Sequence, residues 1–200
     1  MKFGLQLASF FALVSFSVCG QGTFVYDQQS SANETPPPLG AGGRVPVSPG
    51  TGTGQSFTPS LSSVGFIRLM LDDGDVVNSG GATVLVNLRS GSITGLVIGT
   101  SASVHMFNGF SGPATFLFPS PISVAPGTTY FIEAVQQIGT SWDMYGIGDT
   151  YPGGSAWNAG APTAGDLWFR EGIVVPEPSS AALLVVVGGG VWITRRRMRL

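Results

Sequence analysis

Residues 82–88 read Ala-Thr-Val-Leu-Val-Asn-Leu, and their alternation decides the fold class. Thr83, Leu85 and Asn87 oppose Val84, Val86 and Leu88, the two-residue period of a strand with one face buried. The same texture runs outward in both directions. Strand-like segments are predicted over 55–57, 64–71, 82–88, 94–101, 104–107, 115–118, 129–136, 141–145 and 166–170. Between them stand turn-forming clusters: DDGD at 72–75, NSGG at 78–81, RSGS at 89–92, NGFSGP at 108–113, VAPGT at 124–128 and TYPGG at 150–154. Each is rich in residues that tolerate positive φ or preset a turn. No segment here keeps a helical period over three turns, and no repeat of solenoid length occurs. Short strands spaced by roughly 8–12 residues predict an all-β domain, a β-sandwich of jelly-roll type, over 54–174.

Composition agrees with that reading. Glycine and proline supply 30 and 14 of the 200 positions. Residues 21–53 differ from the domain that follows. Phe24, Val25 and Tyr26 suit a first edge strand, whereas 27–53 (QQ, SS, three consecutive prolines, then Gly-rich sequence) has few apolar side chains to offset its ordering entropy. It is expected to be a loop.

Charge is unevenly placed. Between residues 21 and 175 only Arg44, Arg68, Arg89 and Arg170 stand against ten acidic residues, a net of −6. Such a region repels phosphate backbones, which argues against a nucleic-acid partner. The single cysteine, Cys19, lies in the N-terminal apolar stretch. The domain therefore has no disulfide, no zinc-thiolate site and no cysteine nucleophile.

Residues 1–20 have the parts of a secretory signal peptide: Lys2, an apolar run over 5–18, and small residues before Gln21. That run is short for a bilayer span. A bacterial lipobox would need a small residue before Cys19, where Val18 stands. Residues 175–200 read VPEPSSAALLVVVGGGVWITRRRMRL. Pro176 and Pro178 hold the chain extended around Glu177, a form that an enzyme cleft can read as a strand. The apolar run over 181–193 is predicted to form a hydrophobic transmembrane helix, short and weakened by Gly188, Gly189 and Gly190. Arg195, Arg196, Arg197 and Arg199 at its end orient it with the basic end in the cytoplasm and the acidic domain outside. A plain C-terminal anchor is the other reading of the same run.

This order of parts resembles the PEP-CTERM sorting signal of Gram-negative bacteria, with Pro176, Glu177 and Pro178 as the tripeptide. The resemblance covers about 25 residues. It implies signal peptidase and an exosortase-type membrane peptidase as partners, transient membrane attachment, and delivery to the cell surface or extracellular matrix. Gln55-Ser56-Phe57, Pro126-Gly127-Thr128-Thr129-Tyr130 and Asp166-Leu167-Trp168-Phe169-Arg170 also look like pieces of the choice-of-anchor-type domains found ahead of such tails.

No catalytic constellation is read in the domain. His105 is the only histidine, and no Gly-x-Ser-x-Gly elbow is present. Asp72, Asp73 and Asp75 offer oxygens that a calcium ion would accept, but the spacing is not that of an EF-hand, and a solvated turn explains them as well. No other cofactor is implied. Trp142, Tyr145 and Trp157, with Asn158, Asp143 and Asp149 nearby, suit stacking on sugar rings; the same aromatics would also fill a sandwich core. The expectation is a non-catalytic surface or biofilm-matrix protein that associates with exopolysaccharide. Its alternatives are a secreted polysaccharide hydrolase, using carboxylates among Glu133, Asp143, Asp149, Asp166 and Glu171, and a structural surface protein without a ligand.

Overall fold

The protein is described here from a computed structural model, over residues 22–36, 43–47, 52–74, 77 and 80–177. Those residues form fourteen strands: β1 (Thr23–Gln29), β2 (Arg44–Pro46), β3 (Gly54–Phe57), β4 (Ser63–Asp73), β5 (Ala82–Ser90), β6 (Leu96–Thr100) and β7 (Val104–Met106). The rest are β8 (Ser111–Ser123), β9 (Tyr130–Gly139), β10 (Trp142–Ile147), β11 (Ala156–Asn158), β12 (Ala161–Pro162), β13 (Asp166–Leu167) and β14 (Phe169–Val175). The fold is all-β, with two seven-stranded antiparallel sheets arranged as a sandwich. The first has the order β1-β14-β4-β10-β13, with β2 on β10 and β8 on β4. The second runs β12-β11-β3-β9-β5-β6, with β7 on β5.

Strand β5 buries the residues its alternation assigns. Val84, Val86 and Leu88 are inside, and Thr83, Leu85 and Asn87 are half-buried on the other face. The inner residues join Phe57, Ile132 and Ala134 of their own sheet and meet Ile67, Leu69, Leu71, Phe116, Trp142 and Phe169 of the first sheet. Each Val, Leu, Ile or Phe among them contributes roughly 1.5–3 kcal/mol on full burial. In β4 the register against β8 shifts between Val64 and Phe66, across Gly65. That bulge lets Val64 and Ile67 face the same core although they are three positions apart, an odd spacing that regular alternation would put on opposite faces.

Two glycines set backbone approaches inside the sheets. A Cβ on Gly54 would lie 1.8 Å from the Ile132 carbonyl oxygen, and one on Gly172 would lie 2.0 Å from that of Val25. The second contact is what lets β1 close onto β14.

The compact unit runs Phe24–Val175, so the described residues from 24 to 53 belong with the sandwich. Residues 30–34 are not the free loop that their composition predicts. Ser30 Oγ donates to the Leu167 carbonyl at 2.8 Å and accepts from the Phe169 amide at 2.9 Å. Trp168 Nε1 donates to the Asn33 carbonyl (2.7 Å) and Arg170 Nε to that of Ser31 (2.9 Å). These polar contacts replace the apolar burial that the segment lacks. Residues 72 and 73 also depart from their predicted turn: both lie inside β4 and are buried. The signal-peptide segment 1–20, Pro178, the apolar run 181–193 and Arg195, Arg196, Arg197 and Arg199 lie outside the described residues.

Candidate functional site

The three aromatics that suit sugar stacking do not converge. Trp142 has no exposed surface and packs between the sheets. Tyr145 is on the outer face of the first sheet, buried with Met70 and Trp168. Its hydroxyl donates to Asp72 at 3.1 Å and lies 3.0 Å from Ser111 Oγ. Neither ring has a face open to a sugar, which corrects that reading: each lies within a tightly packed β10 environment. Trp157 is in the other sheet, half-buried and edge-on to Phe131 with ring centroids 5.4 Å apart.

The carboxylates have structural partners. Asp72 forms an ion pair with Arg44, whose guanidinium stacks over Tyr145 at 5.2 Å. Asp73 accepts the Gly109 amide at 2.8 Å. With their oxygens used in this way, the calcium reading loses two of its three residues; Asp75 lies outside the described residues. Among the described residues no group of three or more His, Cys, Asp or Glu is placed to hold a metal ion. Asp166 receives Gln55 Nε2 (2.9 Å) and the amides of Thr150 (2.9 Å) and Tyr151 (2.8 Å). Glu133 receives Arg89 Nε (2.7 Å) and Asn87 Nδ2 (3.1 Å). Asp143 is half-buried, and that burial raises its pKa, with nearby Arg44 acting the other way. Asp149 is exposed. His105 is exposed on β7, opposite Thr83 of β5. Pro176 and Glu177 are exposed just beyond β14.

Glu171 is the exception. It faces inward on β14 with no exposed surface, and neither carboxyl oxygen has a hydrogen-bond partner. Burial first, and the charge of Asp27 second, push its pKa up to about 9. Glu171 is thus a neutral acid at pH 7. Asp27 stays ionised. Burial acts against it, but Ser60 Oγ and the amides of Leu61 (2.9 Å) and Ser60 (2.7 Å) hold its carboxyl below the ordinary value.

The arrangement with most chemical potential was not among the predicted site residues. Arg68 of β4 and Arg170 of β14 are direct register partners on the outer face of the first sheet. Both reach Glu34 Oε1, at 2.6 Å and 2.8 Å. Arg170 lies between two rings, 5.1 Å from the centroid of Tyr26 and 5.2 Å from that of Trp168. Arg68 Nη1 also donates to the Tyr26 hydroxyl at 2.8 Å. The hydrogen bond from Arg68 holds the Glu34 carboxyl below its usual pKa. A sequence signal for this site exists: Arg68 in GFIRLML and Arg170 in LWFRE are lone cations in apolar strands, and such charges require partners. Compared with protein-family models, curated proteins and solved structures, the chain matches none.

Proposed function

We propose that this chain is an exported, non-catalytic protein of the cell surface or extracellular matrix of a Gram-negative bacterium, associating there with exopolysaccharide. On this reading signal peptidase removes residues 1–20. An exosortase-type membrane peptidase then recognises Pro176-Glu177-Pro178, while the apolar run over 181–193 and the terminal arginines hold the chain transiently in the membrane. The jelly-roll class of the sandwich is part of the same proposal.

The observation that carries it is the position of the motif. β14 ends at Val175, and the exposed Pro176 and Glu177 follow at once. A recognition peptide must be reachable in extended form by an enzyme cleft, and the fixed φ of proline on either side of a glutamate in the sequence suits that. The use of Glu133, Asp72, Asp73 and Asp166 as acceptors for neighbouring donors supports a binding or scaffold role over catalysis.

Replacing Pro176, Glu177 and Pro178 by alanine should leave the full-length tail uncleaved in the membrane fraction. Unchanged processing and release of the triple variant would sink the sorting reading.

A further inference from the structure

We infer that Arg68 and Arg170 form a binding site for the carboxylate of an acidic sugar, and that the chain's own Glu34 occupies it in the free protein. The inference rests on the polysaccharide reading above and names the ligand class.

Two arginines directly opposite each other on neighbouring strands repel unless an anion bridges them. Here one carboxylate oxygen satisfies both. The site is preorganised: Arg170 is fixed by the Tyr26 and Trp168 rings and by its Nε bond to Ser31, leaving Nη1 to meet the anion. Arg68 Nη2 is only 3.5 Å from Glu34 Oε2, so the fork is incompletely used. A planar ligand carboxylate with freedom to rotate can fill it better.

Exposure separates this ion pair from the others described. The Asp72 and Glu133 side chains, which hold Arg44 and Arg89, are 10% and 2% exposed, so neither carboxylate is free to swing out for a ligand, although Arg44 itself is 28% exposed. The Glu34 side chain is 46% exposed, and its departure would uncover Arg68 and Arg170, whose side chains are 15% and 7% exposed with it in place. Tyr26, beside the pair, is 38% exposed; Arg170 covers one face of its ring, so a sugar would meet the rest of the ring while its carboxylate replaces that of Glu34. A neutral sugar has no group to do so. The net charge of −6 over residues 21–175 opposes a polyanion, but screening at physiological salt confines that opposition to about 8 Å.

The test is calorimetry at physiological salt with the full chain in detergent, using oligogalacturonate and neutral dextran as probes. Glu34→Gln weakens the internal competitor and should bind oligogalacturonate roughly tenfold more tightly than wild type, with no gain for dextran. Adding Arg68→Lys, which keeps the charge but loses the fork, should remove most of that gain. In wild type, saturating oligogalacturonate should return the Glu34 carboxyl, followed by NMR, toward its ordinary pKa. No gain in Glu34→Gln, a gain that survives Arg68→Lys, or an unmoved Glu34 titration would each overturn the site. Equal binding of both probes by all variants would overturn it and leave the polysaccharide reading standing. Binding of neither probe by any variant would remove both.

Discussion

Glu133 of β9 and Glu171 of β14 are both buried strand residues, one in each sheet, yet they have opposite environments. Glu133 faces Arg89 and Asn87 and accepts from both. Glu171 faces Asp27 and Tyr151, neither of its oxygens has a partner at good hydrogen-bond geometry, and the nearby Gln28 amide is the one group that favours its anion. The difference teaches that burial alone does not fix a carboxyl's charge. In the second sheet two donors meet the carboxyl, while in the first desolvation and a like charge raise its pKa.

The largest effect should come from breaking the paired side. Glu133→Ala leaves the Arg89 guanidinium, whose side chain is 18% exposed, without its charged partner and with only the Gly95 carbonyl (2.6 Å) to accept from it. Removing one member of a buried pair costs about 3–5 kcal/mol. Glu133→Met with Arg89→Met should recover most of that, because no charge is then stranded. Urea midpoints of the two variants and the wild type would decide it. A loss under about 1 kcal/mol for the single variant would mean that Glu133 resembles Glu171 more than its contacts suggest.

The unpaired side should reveal itself through pH. Glu171 has a folded pKa of about 9 against an ordinary 4.5, so the folded chain keeps a proton that the unfolded chain gives up. Stability is therefore fully present below pH 4.5 and falls as pH rises toward 9. Between about pH 5 and 7.5 the fall is about 3 kcal/mol, at 1.36 kcal/mol per unit. Asp27 and Glu34 act with the other sign: their pKa values are lowered, so their contribution is lost as pH falls through the acid range. Thermal midpoints should peak near about pH 5. In Glu171→Gln the decline above about pH 5 should vanish. An unchanged decline in that variant would place its origin elsewhere.

These contrasts bear on what the sequence makes legible. The strands around β5 are readable because one face is apolar, and alternation shows directly in 82–88. Strands β11 and β12 are not, since three and two residues are too short to display a period. Residues 30–34 read as loop because hydrogen bonds to Leu167, Trp168, Phe169 and Arg170 hold them, and such bonds leave no hydropathy pattern. The aromatics Trp142 and Tyr145 were ambiguous for a related reason: a ring suits a core and a sugar equally until burial is known. Arg68, Arg170 and Glu34 lie far apart in the chain, and only strand register brings the two arginines side by side.

The smallest effect sharpens the comparison near Glu171. The Tyr151 hydroxyl donates to Gln28 Oε1 and accepts the Thr58 amide, both at 3.1 Å, tying β1 to the end of β3 without any charge. Tyr151→Phe loses both bonds and leaves the Thr58 amide short of a partner, a cost of about 1–2 kcal/mol. Burial raises the Tyr151 pKa above its ordinary 10, so the hydroxyl keeps its proton at both pH 5 and pH 8. The cost of the substitution should therefore be the same at the two pH values, measured by urea midpoints. A cost that grows at pH 8 would show the hydroxyl compensating for charge on Glu171, and the contrast between a charged pair in one sheet and a neutral network in the other would then narrow.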